Sequence, residues 1–264
     1  MNTPKATDDY VLANIEFTIT GKKLKLRMPV PAGQVQLGAL LPFFQYLTDS
    51  FVDLSVENAQ GQGSTVSCCK GCGACCRQLV PIAEIEARQL RQVVEDMPEP
   101  RKSTILARFE AAKQQLQAAG LLDRLRKPNQ VDDNDVNTVG LDYFLQGIAC
   151  PFLEDESCSI YEKRPLICRE YLVVSPPEHC TSPAQETVHP VKLAVHTAKA
   201  VRGLNTSLSE YGNRWISLVL ALEWASSHPD NSPRRPGTTW VQEALAHITG
   251  RELEGHSEGW IHRF

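Results

Sequence analysis

Several familiar signatures are missing from this chain, and each absence removes a class of function. No run of about 18 apolar residues occurs, so no helical membrane span is expected. There is no basic excess: 27 Lys and Arg stand against 31 Asp and Glu, with a net charge of −4 and a pI near 6.0. That balance argues against a nucleic-acid partner, which calls for a cationic footprint. No glycine-rich strand–loop–helix fingerprint for a nucleotide is present, and Gly61-Gln62-Gly63 opens no βαβ unit. Neither G-x-S-x-G nor H-E-x-x-H occurs, which leaves hydrolytic catalysis without support. The acidic run Asp132 to Asp135 lacks the glycine and terminal glutamate of a calcium loop and reads as a solvated loop. There is no internal repeat and no low-complexity tract. The opening residues MNTPKATDDY lack the basic and apolar regions of a secretory signal, so a cytoplasmic protein is expected.

What remains is an ordinary globular composition, 42% apolar and 22% charged over 264 residues. Tyr10 to Thr20 is rich in β-branched and aromatic residues, Gly21-Lys22-Lys23 is a turn, and Leu24 to Met28 alternates. This predicts a β-hairpin with one buried face, ended by Pro29 and Pro31. Leu37, Leu40, Leu41, Phe44, Leu47, Phe51 and Leu54 recur at helical spacing and predict a helix over 36–58, kinked at Pro42. Further helices are expected from Pro81 to about Met97, from a Ser103 cap to Gly120, and over 141–146, 195–208 and 214–227. A last helix holds Trp240, Val241, Ala244, Leu245 and Ile248, after a Ser232–Gly237 linker. The expected fold is mainly α with an N-terminal β-hairpin and irregular cysteine loops. It reads as one domain: hairpin and first helix over 1–67, a cysteine core over 68–180, C-terminal helices over 181–264. The C-terminal helices are expected to pack on the first one.

Against these absences stands one excess. Cys68 to Cys76 read C-C-K-G-C-G-A-C-C, so five of nine cysteines fall within nine residues; the others are Cys150, Cys158, Cys168 and Cys180. A structural cysteine behaves as a small hydrophobe and is usually solitary, so packing does not explain such density. In a reducing compartment these residues stay thiols or bind metal. Nine is odd and fits poorly with a complete set of disulfides. The segment therefore reads as a metal holder. Cys69, Cys72 and Cys75 form C-x2-C-x2-C, with Gly71 and Gly73 supplying backbone freedom. Ferredoxin-type cubane sites use this spacing plus a remote cysteine followed by proline, which Cys150-Pro151 matches. A 4Fe–4S cluster is the favoured cofactor, and zinc competes because all-cysteine zinc sites also use C-x2-C gaps. Adjacent Cys75 and Cys76 tend to diverge, which implies a second set, Cys76, Cys158, Cys168 and Cys180, or one structural thiol. Cys68 stands outside both sets. Lys70, Arg77, Lys163, Arg164 and Arg169 interleave with the ligands as counter-charges or as plain surface cations, and His179 is left outside.

The order Cys69-Lys70-Gly71-Cys72-Gly73-Ala74-Cys75-Cys76-Arg77, then Cys150-Pro151-Phe152-Leu153, then Cys158 through Cys168-Arg169, resembles the YkgJ-type cysteine-cluster family. The resemblance covers about residues 69 to 169. It implies a zinc- or iron-chelating domain with Cys69, Cys72, Cys75, Cys76, Cys150, Cys158 and Cys168 as ligands. It also marks Tyr161, Arg164, Pro165 and Arg169 as motif residues, with Pro165 fixing a turn and Tyr161 packing behind a polar tip. A metal-cluster protein with a structural, redox or metal-handling role is the first reading, its partner a metal ion or cluster. The alternative, implied by the same family, is an iron–sulfur-dependent protein lysine N-methylase using S-adenosylmethionine. Cys68, Cys72 and Cys75 also spell C-x3-C-x2-C, the spacing of radical S-adenosylmethionine enzymes, but no alternation of strands and helices for their barrel follows.

Overall fold

A computed structural model describes residues 10–19, 21–131, 136–182, 186–208, 215–249 and 261–263. The acidic run 132–135 lies outside the described residues. In chain order come β1 (Tyr10–Ile19), β2 (Lys22–Pro31), β3 (Gln34–Val35), α1 (Leu41–Gly61), β4 (Pro81–Ile82), α2 (Glu84–Glu95) and α3 (Arg101–Ala118). Then follow α4 (Leu122–Arg126), α5 (Val136–Leu145), β5 (Leu153–Glu154), β6 (Ser157–Cys158), α6 (Leu166–Glu170) and α7 (Thr197–Leu208). The chain closes with β7 (Ile216–Ser217), α8 (Ala221–Ser227), β8 (Arg235–Pro236), α9 (Gly237–Thr249) and β9 (Ile261–Arg263). The fold is mainly helical with an N-terminal antiparallel hairpin.

Hairpin register pairs Ile19 with Lys22 and Tyr10 with Pro31. Lys22 and Lys23 are already in the ladder, so the reversal comes earlier than expected, with Gly21 at φ +81°. Ala13, Ile15, Phe17, Leu26, Met28 and Val30 form the buried face. On the other face Glu16 pairs with Lys23 at 3.3 Å and Lys25 at 3.7 Å. The strand does not end at Pro29. It runs through both prolines, because β2 is the edge of a sheet ordered β2-β1-β9. Two residues apart, Pro29 and Pro31 turn their missing donors to the same unpaired edge. The Pro31 carbonyl faces the start of α9, where Gly237 leaves no room for a Cβ.

The buried hairpin face packs against α1 and α9, and the same core takes in α7. Of the C-terminal helices expected on α1, α7 packs on it, whereas α8 packs on α2. Phe17 and Phe51 meet edge to face with centroids 4.9 Å apart. Fully buried Trp240 donates its indole N–H to the Val35 carbonyl at 2.9 Å, pinning α9 to β3. Pro42 does not kink α1. It occupies the first turn, where its missing N–H has no intrahelical partner to lose. Residues downstream of Cys76 build two further apolar clusters. One joins Ile82, Leu90, Ile105, Phe109, Phe152 and Ile216, and Cys150 and Cys158 pack on it. The other joins Leu116, Leu125, Tyr143, Trp215 and Leu220.

Other boundaries also move. Pro81 pairs with Ser217 in a short ladder, and α2 begins only at Glu84. Ser103 is not a cap; it lies inside the first turn of α3 and donates its N–H (3.2 Å) and hydroxyl (2.6 Å) to Glu99. Gly120, at φ +70°, stops α3 as expected, with Leu121 N–H closing onto the Leu116 carbonyl at 2.9 Å. The helix expected over 214–227 shrinks to α8. Trp215, Ile216 and Leu218 to Ala221 are buried in succession, and a run buried on every side has no helical stripe to follow. Arg235 and Pro236, expected in a linker, pair with β3.

Two buried carboxylates cross-link the helices. Glu86, 2% exposed, accepts the Ala83 N–H at 2.8 Å and the Leu166 N–H at 2.7 Å, so one side chain caps both α2 and α6. Glu170 at the end of α6 accepts the Ala198 N–H of α7 at 2.7 Å and faces His196 at 3.5 Å. Burial raises the proton affinity of both, and the Arg202 guanidinium opposes that rise. Replacing Glu86 with Ala strands two buried N–H groups, each worth about 1–3 kcal/mol. Urea unfolding of Glu86→Ala should therefore show a loss of about 2–6 kcal/mol; an unmoved midpoint would refute the double cap. The folded-state pKa of Glu86 is raised, so its contribution is full below the ordinary carboxylate value of 4.5 and declines as pH rises above it. Glu86→Gln should flatten that part of the stability–pH curve.

Candidate metal centre

Short contacts between distant segments bring the cysteines together. At the start of the first segment, Ser67 N–H donates to the Val173 carbonyl at 2.9 Å and Val173 N–H donates to Cys68 Sγ at 3.4 Å. The chain then turns through Gly71 at φ +92°, with Cys72 N–H on the Cys69 carbonyl at 3.2 Å. A 3-10 turn over Ala74–Arg77 follows. Cys150 N–H donates to the Cys76 carbonyl at 2.7 Å, which joins the second segment to the first. Leu153 N–H returns to the Cys150 carbonyl at 2.9 Å, and the β5–β6 hairpin sets Leu153 opposite Cys158. Pro165 leads into α6, and its carbonyl accepts the Cys168 N–H at 3.0 Å. This is the turn-fixing role expected of it. A further 3-10 turn, Pro177–Thr181, carries Cys180 against the Ala74–Arg77 turn.

The hairpin tip is clamped to the first segment. Asp155 and Glu156 both adopt positive φ, 48° and 53°. The Glu156 carboxylate takes both arms of Arg77, at 2.9 and 2.7 Å, while Arg77 also donates to the Gly73 carbonyl at 3.0 Å. Gly73 is needed here for space rather than for backbone freedom. Its φ is an ordinary −93°, but a Cβ would run into Glu156 and Leu153. Of the two glycines, only Gly71 supplies the expected positive φ.

All nine cysteines are free thiols. Among the described residues no three Cys, His, Asp or Glu side chains converge closely enough to hold a metal ion, so the arrangement is one of neighbourhoods. Burial pushes the Cys150 thiol up to about 12 and raises Cys158 and Cys168 as well. Beyond burial, every pair among Cys75, Cys150, Cys158 and Cys168 interacts, each ionised thiol raising its neighbours. A hydrogen bond with Cys76, then burial, raises Cys75 itself. Burial also raises Cys68 and Cys180, and these two interact with each other and with Cys72 and Cys75. The sequence grouped Cys180 with Cys76, Cys158 and Cys168; its turn packs against the Ala74–Arg77 turn, which carries Cys76. Cys69 neighbours Cys68 but is exposed. Thiols crowded in this way suit a thiophilic cation, which reverses the sign of the local electrostatics.

Among the expected counter-charges, Arg164 favours ionisation of Cys75 and Cys158, and Arg169 favours that of Cys158. Arg77 interacts with Cys76. Lys70 and Lys163 are exposed. Buried Arg169 is held by Asp49 at 2.6 Å and by the Glu162 and Arg164 carbonyls at 2.6 and 3.2 Å. Tyr161 is not a core residue: it is 57% exposed and lies under the Arg164 guanidinium, 3.7 Å from ring centroid to Cζ. His179 Nδ1 lies 2.8 Å from the Thr187 carbonyl. Sequence reasoning passed over Cys68, whose Sγ is positioned by a residue about a hundred places downstream. It also passed over Glu86 and Glu170, which no local motif distinguishes from surface glutamates.

Residues 68–189 match the family described as CxxCxxCC, "Putative zinc- or iron-chelating domain". No curated protein and no solved structure matches the chain. The clamp around Gly73 gives a direct test of the site's packing. Gly73→Ala forces Leu153 and Glu156 away and should cost about 1–3 kcal/mol in thermal or urea unfolding. Glu156→Gln removes only a half-exposed ion pair, worth about 0–1 kcal/mol. Equal losses in the two variants would mean that the salt bridge, not the close approach, holds the hairpin.

Proposed function

With residues 68–189 as a domain of the CxxCxxCC cysteine-cluster family, we propose that the protein binds a metal centre through thiolates drawn from Cys69, Cys72, Cys75, Cys76, Cys150, Cys158, Cys168 and Cys180. An iron–sulfur cluster of the 4Fe–4S type is the occupant we favour over zinc. The observation that carries the reading is the main-chain junction of the two cysteine segments: Cys150 N–H sits on the Cys76 carbonyl at 2.7 Å, and Leu153, bonded back to the Cys150 carbonyl, stands opposite Cys158. Thiols held near one another and partly buried disfavour one another's ionisation, and a bound cation turns that cost into ligation. The C-x2-C-x2-C spacing and Cys150-Pro151 support the cluster over a single zinc ion.

When bound, such a centre supplies a covalent crosslink between distant loops and, as a cluster, one-electron redox chemistry. The chain's own residues do the rest. Arg164 and Arg169 offset thiolate charge, Tyr161 covers Arg164, and the Arg77–Glu156 clamp holds the second segment over the first. We read the role as structural, redox or metal-handling. We read the chain as one domain with the centre at its middle, in the reducing cytoplasm, where thiols stay available. No helix among the described residues is long and apolar enough to cross a membrane.

Anaerobic purification followed by metal and sulfide analysis tests the assignment. Iron and acid-labile sulfide in equal amounts, with broad visible absorption, are expected. Stoichiometric zinc without sulfide would overturn the cluster and keep the thiolate site. Cys168→Ser should lose the metal and the absorption together; full retention would contradict the ligand assignment.

A further inference from the structure

One side of α5 faces an open groove. Asn137, Gly140, Leu141 and Phe144 recur at i, i+3, i+4 and i+7, so they share one face of the helix, and all four line a cavity of about 310 Å³. The rest of the lining is Leu79 and the hydrogen-bonded pair Gln78 and Tyr171. That pair joins two distant parts of the chain. Gln78 follows the Ala74–Arg77 turn, and Tyr171 follows α6. The volume lies at the lower end of the range for small-molecule sites, about 300–1,000 Å³.

The lining selects the chemistry of a ligand. None of these residues is charged, so an ionic ligand would lose its hydration without gaining a counter-ion. Leu79, Leu141 and Phe144 offer apolar surface, and Leu141 is left 51% exposed. Gly140 leaves room beside them: a Cβ there would meet nothing within 4 Å outside its own stretch of helix. The polar part is a matched pair. Gln78 Nε2 donates to the Tyr171 hydroxyl at 3.4 Å. That leaves the phenol proton to donate and the Gln78 carbonyl to accept, side by side. A carboxamide or lactam carries the complementary pair, one C=O and one N–H on a single edge. Independently of the metal reading, we propose that this groove binds a small uncharged molecule with a flat ring and an amide or lactam edge. Its C=O accepts the Tyr171 hydroxyl, its N–H donates to the Gln78 carbonyl, and its ring lies against Leu79, Leu141 and Phe144. A molecule seated there touches the residues that follow each cysteine segment and uses no thiol.

The probe is 2-quinolone, a flat uncharged lactam, titrated into the reduced full chain and followed by saturation-transfer NMR. Transfer to its ring protons is expected. N-methyl-2-quinolone, which lacks the N–H, should bind about two- to tenfold more weakly, the factor that one net hydrogen bond gives. Tyr171→Phe should weaken 2-quinolone by a similar factor. Gly140→Leu puts a side chain into the groove and should abolish the transfer. Its circular dichroism should stay that of the wild type and its Tm should not fall, because Leu forms helix better than Gly. No transfer from the wild-type chain sinks the proposal. Equal affinity for the two quinolones overturns the amide edge, and undiminished binding by folded Gly140→Leu overturns the groove as the site. Metal content, measured separately, decides the metal reading whichever way these titrations fall.

Discussion

Burial raises the proton affinity of the Cys150, Cys158 and Cys168 thiols, and the thiols around them raise it further. Cys150 and Cys158 pack on an apolar cluster. Crowded thiols of this kind gain nothing from one another, so the rest of the fold has to hold them. The middle of the chain follows from that requirement. Two cysteine segments far apart in sequence are brought to one place by main-chain hydrogen bonds, of which Cys150 N–H to the Cys76 carbonyl is the shortest link between them.

How α6 is held shows the point. It has five residues, and a helix of that length is not stable alone in water. Glu86 caps its start from α2, and Glu170 at its end caps α7. Cys168 is therefore carried on a turn anchored at both ends to longer helices. The anchors are buried carboxylates, costly to desolvate, and Arg202 acts on both. A structure that buries two carboxyl groups to seat one short helix places a tight positional demand on the residue that helix carries. The hairpin tip meets the same demand differently, through the close approach at Gly73 and the Arg77 fork on Glu156.

Legibility in the sequence followed the range of the interactions. The hairpin, α1, α3, α7 and α9 could be read, because period-two and period-3.6 patterns are local. Boundaries failed where tertiary contacts decided them: β2 continues through two prolines because it lies at an edge, and Trp215 to Ala221 departs from helix because it is buried throughout. For the site, cysteine density pointed to metal and Pro165 to its turn. The neighbour relations were not legible. The Cys180 turn against the Ala74–Arg77 turn, and Val173 on Cys68 Sγ, are contacts across about a hundred residues, which spacing rules do not reach. Gly73 was legible as a special glycine but for the wrong reason, since sequence alone does not distinguish a need for space from a need for positive φ.

Charge compensation around the thiols is uneven. Arg164 and Arg169 act on the thiols near the β5–β6 hairpin, Arg164 reaching both Cys75 and Cys158. Four thiolates with a divalent ion carry about −2, and these guanidiniums are placed to offset it. The influences on Cys68 and Cys180 are burial, the Val173 N–H and other thiols. Beside them Tyr171 keeps an uncharged phenol where a further carboxylate would add to a crowd of like charges.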